Sequence, residues 1–256
     1  MNQHLKQISV TSTPLRPEPK NDSLIDTECL FGESIEIIKY QENYAFCKCV
    51  IDNYTGWIKA SDMEDFRPKT HKILSLRSFL YETPQIKSNT ILEIPFGSLI
   101  SARLISYNWA EVLINNNLKG FIPAQHIIDV NEKIFNWVDT ALKFLNTPYK
   151  WGGRNSKGID CSALIQLSLQ TAGINIPRDT KDQEKMEWEQ IPNLSLIDKG
   201  VLIFWKGHVG VMIDNKNLLH ANATSMSVII ESLDKVIKRH IKNNIGPISR
   251  MIKFKL

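Results

Sequence analysis

Gly158-Ile159-Asp160-Cys161-Ser162-Ala163-Leu164-Ile165-Gln166-Leu167-Ser168-Leu169-Gln170-Thr171-Ala172-Gly173 is the stretch on which the reading of this chain turns. The apolar spacing predicts a helix from Cys161 to about Ala172, with Leu164, Ile165 and Leu167 on its buried side and Gly173 as its C-terminal cap. A cysteine in the first turn sits where backbone N–H groups lack helical acceptors, and the positive end of the helix dipole favours a thiolate there. The same N–H groups can hold the oxyanion formed when that thiolate attacks a carbonyl. On this stretch alone, a nucleophile and a buried cysteine that merely starts a helix fit equally well.

Downstream, the texture becomes strand-like. Residues 201–205, 208–213 and 218–221 read as strands, with Gly207 and Asp214-Asn215 supplying turns. His208 opens the second of these and His220 lies in the third, so two antiparallel neighbours bring them side by side. One imidazole can then take the thiol proton while the other orients it. Upstream, Ile134, Phe135, Val138, Ala141, Leu142 and Leu145 predict an amphipathic helix over 132–146, stopped at Thr147-Pro148. A basic helix over 233–242, read as a solvated face, precedes a last strand in which Ile252, Phe254 and Leu256 alternate with Lys253 and Lys255. Helices first and an antiparallel sheet afterwards make this half an α+β domain, over 131–256.

The first half differs. Residues 1–22 carry Pro14, Pro17 and Pro19 and read as an extended arm or linker. Residues 23–67 and 68–130 then repeat one grammar. Phe31-Gly32 leads into an apolar run, then Ala45 to Val50, then Gly56-Trp57-Ile58. Phe96-Gly97 leads into another, then Trp109 to Leu113, then Gly120-Phe121-Ile122. The Gly-to-Gly interval is 24 residues in one copy and 23 in the other. Short strands with regular turns predict two small β-barrels.

The 256 residues carry 43% hydrophobic and 23% charged side chains and a formal charge of +4, which is ordinary globular composition. Scattered basic residues without aromatic interleaving argue against nucleic acid. No stretch approaches 18 apolar residues, which argues against a membrane span. The opening Met1 to Gln7 lacks the apolar run, about 7 to 15 residues, of a signal peptide, and a cytoplasmic protein is expected. Cys47 and Cys49 face one side of a strand, and with Cys29 they read as small buried side chains. A zinc pair would need a second ligand pair. Trp151 and Trp205 read as core or pocket lining, and Tyr54 and Trp57 as packing.

Five blocks resemble the NlpC-type cell-wall peptidases, papain-like cysteine enzymes of bacteria. They are Thr147-Pro148-Tyr149-Lys150-Trp151-Gly152-Gly153, Gly158 to Leu164, Pro177-Arg178-Asp179-Thr180, Gly207-His208-Val209-Gly210-Val211 and His220-Ala221. The resemblance implies Cys161 as nucleophile, His208 as base, His220 as the orienting third residue, Tyr149 beside the oxyanion, and no metal or organic cofactor. Two SH3-like units ahead of such a domain are similar to the branch that cleaves γ-D-glutamyl-diamino acid bonds in murein peptides with a free N-terminal L-alanine. By that resemblance Asp160, Ser162, Asp179, Thr180 and Glu33 would grip the substrate amine, and an SH3-like wall would exclude longer chains. Helix capping by Asp160 and a turn role for Asp179 stand beside that reading. Ala163 replaces the family's usual glycine, and Lys199-Gly200-Val201 lacks its usual Asp. An amidase or acyltransferase of the same fold and a non-enzymatic wall-peptide module are the alternatives. Oligomeric state is left open.

Overall fold

The computed structural model describes residues 4–114 and 118–254. It divides into two units, residues 1–132 with 154–156, and residues 133–153 with 157–256.

The first unit is built twice over. Its strands are β1 (Leu5–Ile8), β2 (Ser12–Leu15), β3 (Thr27–Leu30), β4 (Ser34–Gln41), β5 (Tyr44–Cys49), β6 (Thr55–Lys59) and β7 (Met63–Asp65). They are followed by β8 (His71–Ile73), β9 (Arg77–Tyr81), β10 (Thr90–Pro95), β11 (Leu99–Ile100), β12 (Ala102–Leu104), β13 (Trp109–Leu113), β14 (Lys119–Pro123) and β15 (Ile127–Asp129). In the first copy β1 pairs with β4 and β7, β2 with β3, and β5 with β4 and β6. In the second, β8 pairs with β11 and β15, β9 with β10, and β13 with β12 and β14. A 3₁₀ turn precedes the last strand of each copy, at Ala60–Asp62 and Ala124–His126. The repeated Phe-Gly occupies the same turn twice: Gly32 has φ +77° and Gly97 φ +83°.

The N-terminal segment is therefore not an arm. Residues 5–8 and 12–15 are the first two strands of the first copy, and Leu15 and Ile8 are fully buried. Pro14 is tolerated because β2 and β3 form a two-stranded sheet, where a missing N–H can face away from the ladder. Cys29, Cys47 and Cys49 lie in the core of this copy with Ile8, Leu15, Ile35 and Ile58. Trp57 packs on Phe46 at 5.2 Å, and Tyr54 flanks the same core. The short strand β16 (Arg154–Asn155) belongs to this unit: Arg154 is buried and forms a bidentate pair with Glu33 at 2.9 and 3.0 Å.

The second unit carries α1 (Trp137–Leu142), β17 (Gly158–Ile159), α2 (Cys161–Thr171), α3 (Thr180–Gln183), β18 (Glu189–Gln190), β19 (Val201–Trp205), β20 (His208–Met212), β21 (Asn217–Asn222), β22 (Ser227–Ser232), α4 (Leu233–Lys242) and β23 (Arg250–Lys253). Six strands form one antiparallel sheet in the order β18-β23-β19-β20-β21-β22, and α2 packs on β20 and β21. The unit is α+β. Leu164, Ile165 and Leu167 are buried as expected, each contributing about 1.5–3 kcal/mol of apolar burial. Beyond Ala172, Gly173 takes φ +77°, and the N–H groups of Gly173 and Ile174 return to Gln170 and Leu169, closing a Schellman motif.

Two expectations need correction. The helix forecast over 132–146 spans only Trp137–Leu142 and then tightens, with Lys143, Phe144 and Leu145 bonding three residues back. That narrower turn brings Trp137, Ala141 and Phe144 to the buried side, while Phe135 and Leu145 face solvent. Trp151 is 71% exposed and lines no core, whereas Trp205 is fully buried. The last strand ends at Lys253, and the alternation read at Leu256 lies outside the described residues. Among the described residues no helix is long and apolar enough to cross a membrane.

Candidate active site

Asp160 starts α2. Its Oδ1 accepts from the Ala163 N–H at 2.9 Å, an N-cap that forces the chain to turn and sets Cys161 in the first helical position. The same carboxylate accepts from Ser162 Oγ, the Gly152 N–H and both ends of the Arg178 guanidinium, at 3.0 and 2.6 Å. Five donors meet two oxygens with about four lone pairs, so this carboxylate is saturated. Ser162 Oγ in turn accepts from Arg178 at 2.7 Å, and its backbone carbonyl accepts from Gln183. These contacts build the start of the helix. Glu33, in the first unit, accepts from both ends of the Arg154 guanidinium and from the Leu30 N–H.

The Cys161 sulfur meets the Thr180 hydroxyl at 3.7 Å and receives the Val209 N–H. Val209 adjoins His208, so the sulfur lies against the start of β20. Burial pushes the Cys161 thiol up, and the neighbouring Asp160 charge adds to this; Thr180, Val209 and Arg178 pull it back. Tyr149 is placed by backbone bonds on either side of it, Ile159 N–H to Pro148 and Lys150 N–H to Ile159. Burial, with Cys161 and Asp160 nearby, raises its phenol to about 12, so it remains a donor at neutral pH. Asp179 precedes α3, and its side chain is 32% exposed with Lys181 at 3.7 Å.

His208 Nε2 and His220 Nδ1 are 2.8 Å apart. The strands do not set the two residues directly opposite. Val211 pairs with Leu219 and Met212 with Leu218, so continuing the register puts Gly210 opposite His220. A Cβ on Gly210 would lie 3.0 Å from that of His220, and its absence lets the imidazole lean diagonally towards His208. Burial holds His208 well below the usual histidine range, with His220, His240 and Arg239 adding like-charge opposition. Burial likewise lowers His220 to about 4, against the pull of Glu231.

Sequence reading missed what stands behind the pair. His220 Nε2 is 3.2 Å from Glu231 Oε1, and Arg239 from α4 grips Glu231 at 2.8 and 2.6 Å. His240 stacks beside Trp205 at 4.7 Å and His208 at 5.6 Å. So α4 is not simply a solvated face: Lys235, Lys238 and Lys242 are exposed, but Arg239 and His240 point inward. Among the described residues no cluster of His, Cys, Asp and Glu has metal-site geometry.

Residues 146–244, which contain the cysteine and both histidines, match the NlpC/P60 family. The chain carries an NlpC/P60 domain. Residues 15–63 match the bacterial dipeptidyl-peptidase Sh3 domain, so a bacterial SH3 domain stands ahead of the NlpC/P60 domain. Dipeptidyl-peptidase 6 of Lysinibacillus sphaericus is 26% identical over 86% of this chain and 89% of its own length. Gamma-D-glutamyl-L-lysine dipeptidyl-peptidase of Bacillus subtilis (strain 168) is 27% identical, over 84% of this chain and 78% of its own. A crystal structure of an NlpC/P60 family protein from Bacillus cereus ATCC 10987 shares the fold, at TM-score 0.83 and 18% identity, covering 98% of this chain and 99% of that one.

Proposed function

We propose that this NlpC/P60 chain is a cysteine peptidase that hydrolyses the γ-D-glutamyl-diamino acid bond of murein peptides with a free N-terminal L-alanine. One observation carries the chemistry: the first residue of α2 presents its sulfur to the N–H of Val209, the residue after His208, and His208 Nε2 is engaged by His220 Nδ1 at 2.8 Å. With Nε2 so engaged, Nδ1 of His208 is the nitrogen left to act as base. The names of the Lysinibacillus and Bacillus relatives, dipeptidyl-peptidases of γ-D-glutamyl-L-lysine in the second case, favour the substrate.

In this reading the Cys161 S–H proton passes to His208 as sulfur attacks the γ-carbonyl of D-glutamate. The oxyanion is held by the first-turn N–H of Cys161 and the Tyr149 hydroxyl. His208 then protonates the departing amine, and water hydrolyses the thioester. Asp179 and Thr180, at the start of α3 where Thr180 touches the sulfur, are the pair we assign to the substrate ammonium. The second β copy is SH3-like in the same proposal, because it repeats every pairing of the first. A cytoplasmic setting belongs to it too.

The test is to incubate the chain with L-Ala-γ-D-Glu-diaminopimelate, with the same peptide N-acetylated, and with intact sacculi. Cleavage of the first alone, lost in Cys161→Ala, supports the proposal. Cleavage of the acetylated peptide at an equal rate points to a broader amidase. No cleavage of any of them leaves a wall-peptide binding module.

A further inference from the structure

His220 stands between two partners that ask opposite things of it. Its Nε2 faces Glu231 Oε1 at 3.2 Å and Asn222 Nδ2 at 3.0 Å. The Asn222 amide is not free to turn, since its Oδ1 accepts from the Ser225 N–H and hydroxyl at 2.8 and 2.9 Å. It therefore aims a donor at Nε2 and favours the ring form in which Nε2 is bare and Nδ1 carries the proton. That form would donate to His208 Nε2 and leave the proton of His208 on Nδ1, where it blocks acceptance of a thiol proton. A carboxylate at the same position asks for the reverse, because it can only accept.

We propose that Glu231, clamped by Arg239, is a positioning residue that selects the His220 ring form with the proton on Nε2, and so keeps His208 Nδ1 open to the Cys161 proton. The inference rests on the reading of Cys161 and His208 as nucleophile and base. In the first step the S–H bond breaks, its proton forms a bond to His208 Nδ1, the sulfur pair forms the C–S bond, and the carbonyl π pair moves to oxygen. The positive charge that His208 gains faces an acceptor in His220 and, one ring further, a carboxylate. Two parallel N–H bonds from Arg239, with Lys235 Nζ at 3.3 Å, keep Glu231 ionised and fixed. The other groups around the rings, His240 and Arg239, are cationic when charged and cannot supply that carboxylate.

Glu231→Gln separates the idea from a purely structural role. It keeps the shape; its oxygen retains one of the two Arg239 bonds, and its NH₂ turns to His220, joining Asn222 in favouring the wrong ring form. Nitrogen-15 NMR of the histidine-labelled full chain, without substrate, should show His220 protonated on Nε2 in the wild type and on Nδ1 in Glu231→Gln. With the tripeptide, kcat should fall about 10- to 100-fold while KM stays within about twofold. If no substrate is turned over, the substrate assignment fails but the ring measurement stands, and iodoacetamide capture of Cys161, slowed about tenfold in Glu231→Gln, replaces kcat. A wild-type His220 protonated on Nδ1, or a Glu231→Gln chain with undiminished kcat and capture rate, overturns the proposal. Because the wild-type ring form decides by itself, a variant that fails to fold does not protect it.

Discussion

With the Cys161 thiol raised by burial and the His208 imidazole lowered by it, the resting pair is thiol and neutral ring, and the proton moves only when substrate arrives. Alkylation of Cys161 by iodoacetamide should therefore keep accelerating beyond the free-thiol range, about pH 8.5; a plateau already reached below pH 6 would indicate a preformed ion pair. His220 titrates near 4 when folded and near 6.5 when unfolded, so the unfolded chain holds more protons between those values. Its contribution is complete above about pH 6.5 and fades as pH falls towards 4, by on the order of 3 kcal/mol. Urea midpoints at pH 7 and 4.5 should converge in His220→Asn relative to wild type. The two acidic residues by the cysteine should part company. Asp160→Ala removes the carboxylate paired with the buried Arg178 and a helix cap, and is expected to cost about 3–5 kcal/mol in chemical denaturation. Asp179→Asn should leave stability within about 0.5 kcal/mol while raising KM for the tripeptide roughly tenfold.

At the scale of elements, the catalytic helix is specified at both ends by its own residues, Asp160 as cap and Gly173 as the left-handed terminus. In the first unit, the turn before β4 is decided by close approach as well as by φ. A Cβ on Gly32 would lie 1.7 Å from the Leu99 carbonyl oxygen, and Leu99 N–H bonds to Phe31. Gly32→Ala should therefore cost more than about 2 kcal/mol, read as a lowered melting temperature. Gly97, at φ +83°, carries the φ penalty too, about 1–2 kcal/mol on substitution by Ala. A loss at Gly32 no larger than the φ penalty itself would contradict the role given to the Leu99 carbonyl.

For the molecule as a whole, the division into two units does not follow the order of the chain. Residues 154–156 leave the stretch that builds the catalytic half and serve the first unit, where Arg154 neutralises Glu33 and bonds the Glu28 carbonyl. Breaking a buried pair from one side leaves a charge without its partner. Arg154→Met should cost about 3–5 kcal/mol, and adding Glu33→Gln should restore part of it; a double-mutant cycle with no coupling would refute the pairing.

Local patterns sufficed for much of this. The Asp-Cys helix start, the strands around His208 and His220, and the duplicated Phe-Gly grammar are dictated by spacing and turn chemistry within about a dozen residues, so they are legible in the chain. The strands at 5–8 and 12–15 were hidden because their partners are 12 to 59 residues away, and prolines disguised them. Likewise, nothing in sequence shows Asp160 accepting from five donors, or ties Glu231 to His220. Whether a carboxylate meets a guanidinium, a ring nitrogen or solvent depends on which side chains the folded sheet and helices bring within about 3 Å, and only the tertiary structure decides that.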